Sequence, residues 1–363
     1  MKESKDDSKK RRRGRTDETD LKKTPGQLIG LDIGYGFTKI VREDGECIRF
    51  PSAVAAIAPT AIESYGGPTA DDEVVVERVR CIVGDRAIGK SDRFPNLHNV
   101  WWTGTAYKAI IAHATQWIPP QSTVVTGLPL HTFFAPEARA IVHDIVKSGM
   151  KAKTVLVSPQ GVGAYYSDPT IQHPTNKVAI VDVGTWTTEL IGMAGNDFLA
   201  HVSAGLVLGV SDIFATVAQE LKEKLGRTVD PYEVERAARG EGDIRAQGRA
   251  YPQTAIDERI TQLAKERASQ ILAKMTDLWG LHGADFETIL FCGGGAQLLF
   301  PYLKTYREGV VLLKDAQFAN ARGFLQIADN LYGTEDRNAP VPPTSSQAPT
   351  MEPGSADSRP IAV

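Results

Sequence analysis

Residues 30–38 read GLDIGYGFT and residues 180–188 read IVDVGTWTT. Laid over one another, Asp32 meets Asp182, Gly34 meets Gly184 and Thr38 meets Thr188. In each copy an apolar run delivers an aspartate and a glycine-containing turn, and a second β-rich run begins at once. One such turn is an ordinary β-hairpin. Two in register predict two similar α/β halves that face one another and bring both turns to a shared cleft.

The turns have a chemistry of their own. Glycine at a tight bend exposes backbone N–H groups and lets a phosphate approach without a Cβ in the way. The stretches Gly34-Tyr35-Gly36 and Gly184-Thr185-Trp186-Thr187 can each cradle phosphate oxygens in this manner. An aspartate at the end of the strand before each turn is placed for hydrated Mg²⁺, which usually keeps waters and takes only one or two carboxylates. Asp32 and Asp182 are therefore the candidate metal ligands, and Lys39 is a candidate point charge for a phosphate.

Outward from the repeat, β-rich runs are predicted at 28–33, 37–42, 47–50, 123–126, 154–157, 178–183, 189–193, 198–202 and 288–291. Helical faces alternate with them. Tyr107, Ile110, Ile111, Ala114 and Trp117 form one, ended by Pro119-Pro120, and Val210, Phe214, Val217, Leu221 and Leu225 form another, stopped by Gly226. The longest runs from Ala264 through Ala268, Ile271 and Met275 to Leu278. Strands mixed with helices of this length indicate an α/β architecture.

The run at 288–291 leads into Gly293-Gly294-Gly295-Ala296 and a helical pattern at 297–304. Small residues at such a junction allow a flat base or ribose to lie against the backbone. Residues 84–91, GDRAIGKS, match the G-x-x-x-x-G-K-[ST] phosphate-loop pattern, but Pro95 and the turn-like 94–99 stretch leave no room for the helix that motif requires, so the match is read as chance.

Apolar residues are 42% and charged residues 23% of the 363, the balance of a soluble globular protein. Three isolated cysteines offer no disulfide framework, and no Cys/His grouping has zinc spacing. No run approaches the length of a bilayer span, so a soluble cytoplasmic protein is expected. Residues 1–23 hold ten Lys and Arg against six Asp and Glu, a net of +4 that leaves −7 for the rest of a chain whose total is −3. Lys9 to Arg15, KKRRRGR, reads either as a flexible arm for DNA phosphates or an acidic partner, or as a solvated tail. Residues 1–26 and the Pro/Ser-rich 334–363 read as disordered.

The order LDIGYGFTK, VGDRA, VTGLPL, VLVSPQGVGAYY, VDVGTWTTE, FCGGGAQLL, FANARGF resembles the actin-like ATPases, and within them the plasmid-segregation actins of bacteria (the ParM/StbA group). The resemblance spans nearly all of residues 27–333. It implies an actin-like ATPase fold with domain I at 27–175, domain II at 176–317, and residues 318–333 returning to domain I. It implies Mg²⁺ and ATP as ligands. Asp32 to Lys39, including Phe37 and Thr38, resembles the first phosphate loop, Asp182 to Thr188 the second, and Gly293 to Ala296 the adenosine turn. Gln160 stands where actin has a glutamine that orients the attacking water, and plasmid actins usually a glutamate; Glu189, beside the second loop, is implied to help order that water. A glutamine is no strong base, so slow turnover by positioning and electrostatics is expected. Trp186 sits in a loop often built of small residues, and is expected to point outward or to alter access to the γ-phosphate. Glu233, Arg236 or Arg239, in a helical stretch before Gly240, could contact the adenine or ribose, but a solvated helix face is the preferred reading.

The function so implied is an ATPase that polymerises into filaments for plasmid or DNA segregation. Its partners would be further copies of itself, a DNA-bound adaptor and, through the basic arm, DNA. The same fold serves chaperones, sugar kinases and cell-shape filaments. The ~30-residue tail is too short for a chaperone's substrate domain, no second aspartate loop suggests a sugar pocket, and the arm lacks the apolar face of a membrane anchor. A non-polymerising nucleotide switch and, third, a small-molecule kinase remain the alternative readings.

Overall fold

The structure is a computed structural model and describes residues 26–57, 71–90, 92–94, 100–168, 170 and 176–333. The basic arm and the Pro/Ser-rich tail lie outside the described residues.

The first hairpin is β1 (Leu28–Ile33) and β2 (Phe37–Arg42), joined to β3 (Cys47–Pro51) as an antiparallel meander. Next comes a small three-stranded sheet of β4 (Val54–Ala56), β5 (Glu73–Val76) and β6 (Val79–Val83). Helix α1 (Thr105–Ala114) leads to β7 (Thr123–Leu128), then α2 (Leu130–Phe133), α3 (Pro136–Met150), β8 (Thr154–Pro159) and α4 (Val162–Tyr166). Strands β7 and β8 add in parallel, giving the order β3-β2-β1-β7-β8.

The second half repeats this plan. Strands β9 (Lys177–Val183) and β10 (Thr188–Ala194) form the second hairpin, edged by β11 (Asp197–Phe198) and β12 (Ala204–Leu206). Helices α5 (Ser211–Leu225) and α6 (Pro231–Ala238), a short ribbon of β13 (Arg245–Ala246) and β14 (Arg249–Ala250), and the long α7 (Gln253–Trp279) follow. Strand β15 (Thr288–Cys292), α8 (Ala296–Leu303), β16 (Val311–Leu312) and α9 (Ala319–Tyr332) end the described chain. The order β11-β10-β9-β15-β16 matches the first sheet strand for strand.

Strand alternation assigns the faces of β1. Ile29, Leu31 and Ile33 join Tyr107 and Ile110 of α1 in one core, while Leu28 packs with Phe324 and Ala328 of α9 in another. Gly30 faces α9 so closely that a Cβ there would meet the Ala321 carbonyl at 1.8 Å. The last helix is thereby seated on the first sheet although it follows the second in sequence.

Two expectations are corrected. The strand foreseen at 198–202 stops at Phe198 and becomes a 3₁₀ turn at Ala200–Val202. The edge of β10 explains this: β11 takes its far end and β12 its near end. Between them Gly192 bonds instead to the Leu199 N–H and the Ser203 hydroxyl. Of the helix face read as solvated, Arg236 is exposed, but Glu233 and Arg239 are half-buried and ion-paired, with Arg227 and Glu235. After β6 the phosphate-loop look-alike makes a 3₁₀ turn, Asp85–Ala87, and among its described residues no α-helix receives a phosphate. Ser91 and residues 95–99 lie outside the described residues. Among the described residues, no helix is long and apolar enough to cross a membrane.

Candidate functional site: a cleft between two aspartate hairpins

Both hairpins close in the same way. The Gly34 N–H donates to the Phe37 carbonyl (3.1 Å) and the Gly184 N–H to the Thr187 carbonyl (2.8 Å). Each turn follows an aspartate whose strand is covered on both faces, and the two turns meet at one cleft. From the first half it is lined by Asp32, Gly34, Tyr35, Gly36, Phe37, Lys39 and Gln160, and from the second by Asp182, Gly184, Thr185, Thr187, Glu189, Gly293 and Gly294. The approach is close: a Cβ on Gly36 would lie 2.2 Å from Thr185 Oγ1.

Four expected residues stand apart from this lining. Thr38 turns to the other face of its strand, where its hydroxyl bonds Ser52 Oγ at 2.9 Å. Trp186 neither points outward nor enters the cleft; its ring packs edge-on to Tyr35 at 4.7 Å, against the core of the first half. Gly295 faces Val183 and Val210, and Ala296 is wholly buried at the start of α8.

Asp32 is 3% exposed, yet both its oxygens are engaged: Gln160 Nε2 donates to Oδ1 at 2.9 Å and Lys39 Nζ to Oδ2 at 3.0 Å. Asp182, opposite, accepts from Asn320 Nδ2 at 2.6 Å. Burial, reinforced by the negative charge of Asp32, pushes Asp182 up to about 6, against the pull of Asn320 and Lys39. The same surroundings raise the buried Cys292 thiol well above its ordinary value. Glu189 lies across the ladder from Asp182. Its Oε2 accepts the Leu130 N–H at 3.1 Å, while Oε1 lacks a hydrogen-bond partner. Burial first, and the charge of Asp182 against the Leu130 N–H, push Glu189 up to about 8.

Three lining residues escaped the sequence reading, Glu235, Gln317 and Asn320, and a fourth, Arg239, was weighed there and set down as solvated. Arg239 pairs with Glu235 at 2.7 Å, reaches the Gly294 carbonyl at 3.3 Å and lies over the Phe37 ring at 5.6 Å. Gln317 Oε1 accepts from Arg49 at 2.8 Å, leaving Nε2 buried without a partner beside Gly294. Asn320 was within reach of sequence, because it is the asparagine of FANARGF. Its Oδ1 takes the Gly161 N–H at 2.9 Å, so it ties the Gln160 turn to Asp182. The others carried no signal beyond being polar residues near a glycine or a helix end.

The donor set suits a magnesium nucleotide. Two buried carboxylates facing one cleft, with the charge of Asp32 adding to the burial that raises Asp182, call for a cation, and among the described residues no third His, Cys, Asp or Glu joins them into an all-protein metal cage. A Mg²⁺ bound by one or two carboxylates and phosphates has that requirement. Glycines at 34, 36 and 184 leave backbone open to phosphate. The unpartnered Gln317 amide and the Gly293-Gly294 backbone offer a polar edge and a flat face to a base.

Two family models cover the chain in succession. The model for the N-terminal domain of actin-like proteins matches residues 30–163, and that for the C-terminal part of the archaeal MreB-like actin homologue matches residues 180–305. Together they take in more than two-thirds of the sequence. The chain belongs to the actin-like family. An archaeal actin homologue of Thermoplasma volcanium is 24% identical over 336 residues, covering 83% of this chain and 98% of the relative. Among solved structures, a 15-stranded ParM filament from Clostridium botulinum superposes with a TM-score of 0.68 at 21% identity, over 85% of this actin-like chain and 100% of that one. An archaeal actin homologue in complex with ADP gives 0.65 at 21% identity, over 83% and 99%. The two sheets of matching order and the cleft between them are the actin-like ATPase fold.

Proposed function

We propose that this actin-like protein binds ATP with Mg²⁺ in the cleft, hydrolyses it slowly, and couples the cycle to assembly and disassembly of filaments that segregate plasmid or other DNA. The observation that carries the reading is the convergence of the duplicated hairpins, with Asp32 and Asp182 buried on either side of one cleft, Gln160 bonded to the first and Asn320 to the second. Relatives solved as a filament and with ADP support it.

In this reading Asp32 and Asp182 would hold the metal, Lys39 would neutralise a phosphate, and the hairpin backbones at 34–36 and 184–187 would position the phosphate chain. Bound Mg²⁺ supplies charge neutralisation of the β- and γ-phosphates. Gln160 orients the attacking water; having no basic atom, it leaves rate enhancement to positioning and fixed charge. Glu189 retains its proton at neutral pH until a cation lowers its pKa, so its part is to order water. Arg239, Glu235 and Gln317 line the base and ribose end. The domain division is 27–175 with 318–333, and 176–317. The partners are further copies of the chain, a DNA-bound adaptor and DNA at the basic arm, all in the cytoplasm.

Pelleting with light scattering tests this, comparing ATP, a non-hydrolysable analogue and ADP on wild type and Asp182→Ala. Assembly with ATP that decays as phosphate is released, and that the variant lacks or cannot reverse, is the expected result. Nucleotide binding with no assembly at any concentration would instead make the cleft a conformational switch.

A further inference from the structure

The segment whose letters imitate a phosphate loop has a structural task that no ligand explains. Asp230 caps α6, with Oδ1 accepting the Tyr232 N–H at 3.0 Å. Its Oδ2 reaches across to the first half, accepting the Gly89 N–H at 3.2 Å and Arg93 NH1 at 2.7 Å. Arg93 also lies over the Tyr232 ring at 5.5 Å, and the Tyr232 hydroxyl donates to the Gly36 carbonyl at 3.1 Å. That carbonyl takes the Ser52 N–H as well, at 2.8 Å. Gly36 is the tip of the first hairpin. Two donors fill both lone pairs of its carbonyl and fix a peptide plane that a glycine alone would leave soft. Further along, α6 and the residue after it place Glu235 and Arg239 in the cleft. One helix therefore touches the small sheet's loop, the hairpin tip and the cleft.

We infer that Tyr232 is a positioning residue for the first phosphate hairpin, acting through Gly36 and held in place by the contact of Asp230 with Gly89 and Arg93, so that nucleotide retention is coupled to the seating of α6 on the first half. This rests on the nucleotide-binding reading above. The capping role of Asp230 alone would not require Arg93. The outlying Arg236–Asp85 pair, at 3.7 Å and exposed, adds little.

The test measures dissociation of a fluorescent ATP analogue from the full chain by stopped flow, beside the thermal midpoint without nucleotide. The variants are Tyr232→Phe, which removes one oxygen, Arg93→Ala, their double, and Asp230→Asn, whose amide caps a helix as well as the acid does. Tyr232→Phe and Arg93→Ala are each expected to speed dissociation by about fivefold to tenfold, and the double by less than the product of the two. Asp230→Asn, which keeps the cap on its oxygen but turns an amide N–H toward the Gly89 N–H and Arg93, should speed it at least as much as Arg93→Ala. Association rates and nucleotide-free midpoints should stay at wild-type values. Unchanged dissociation in both single variants overturns the proposal, as does a lowered midpoint with unchanged dissociation, which would make the contacts purely structural. A wild type that binds no nucleotide overturns the functional reading itself, an outcome distinct from binding that the variants leave intact.

Discussion

Glu189 concentrates the electrostatic tension of the cleft. Its pKa rises from an ordinary 4.5 to about 8, because burial penalises the carboxylate more than the Leu130 N–H compensates it. Between those two values the folded protein keeps a proton that the unfolded chain has lost. Stability therefore falls as pH rises from about 4.5 to about 8 and is level above that. Glu189→Gln removes the charge and keeps the shape. In the nucleotide-free protein the variant should match wild type near pH 4.5 and exceed it at pH 8 by roughly 1–3 kcal/mol. Urea unfolding midpoints across that range check this, and parallel curves would show that the Glu189 charge plays no part in stability. The direction of that shift could not be read from the letters. Sequence places Glu189 one residue past a turn, whereas neighbours at its carboxylate, Leu130 of α2 and Gly205 of β12, are brought in by other elements.

At the scale of elements, α9 is the piece that joins the halves. Its FANARGF stretch is packed through glycines. A Cβ on Gly323 would meet the Gly163 carbonyl of α4 at 1.5 Å, and the Phe324 ring fills the space left open at Gly127 and Gly163. These glycines belong to VTGLPL, QGVG and NARGF, so three motifs distant in sequence are three sides of one contact. Gly323→Ala cannot be absorbed by a side-chain rotation, because the obstacle is backbone. It should cost about 1–3 kcal/mol or more and move Asn320, one turn earlier, away from Asp182 and Gly161. Thermal unfolding and nucleotide affinity are expected to fall together. A variant that loses stability but binds nucleotide normally would separate the two roles of α9. The helices themselves were legible where apolar spacing was long, as at α5 and α7. The small sheet β4–β6 lies outside the β-rich runs of the sequence, because its half-buried strand β5 lacks a clean alternation of apolar and polar residues.

For the whole molecule, charge is the property that sequence alone supplies. The arm is basic and the rest of the chain acidic, so binding to DNA should depend on Lys9 to Arg15. Removing residues 1–23 should weaken binding to duplex DNA and flatten its salt dependence, by roughly 0.9 in slope for each phosphate the arm had neutralised. Fluorescence anisotropy between about 50 and 200 mM salt measures this. Equal affinity and equal slope for the shortened chain would assign the arm to solubility.

What the sequence determined by itself was the duplication. Two aspartates followed by glycine turns, each on an apolar strand, prescribe two like hairpins, since strand, turn and residue spacing are local properties. The same locality placed Asp32, Lys39, Asp182 and Gly293-Gly294 as site residues. The tertiary structure alone decided which neighbours complete the cleft. Arg239 turns in because the Gly294 carbonyl and the Phe37 ring receive it, Gln317 because Arg49 holds its carbonyl, and Trp186 turns away because Tyr35 offers it a ring. Each of those choices depends on a partner far off in the chain, and no local pattern of residues records such a partner.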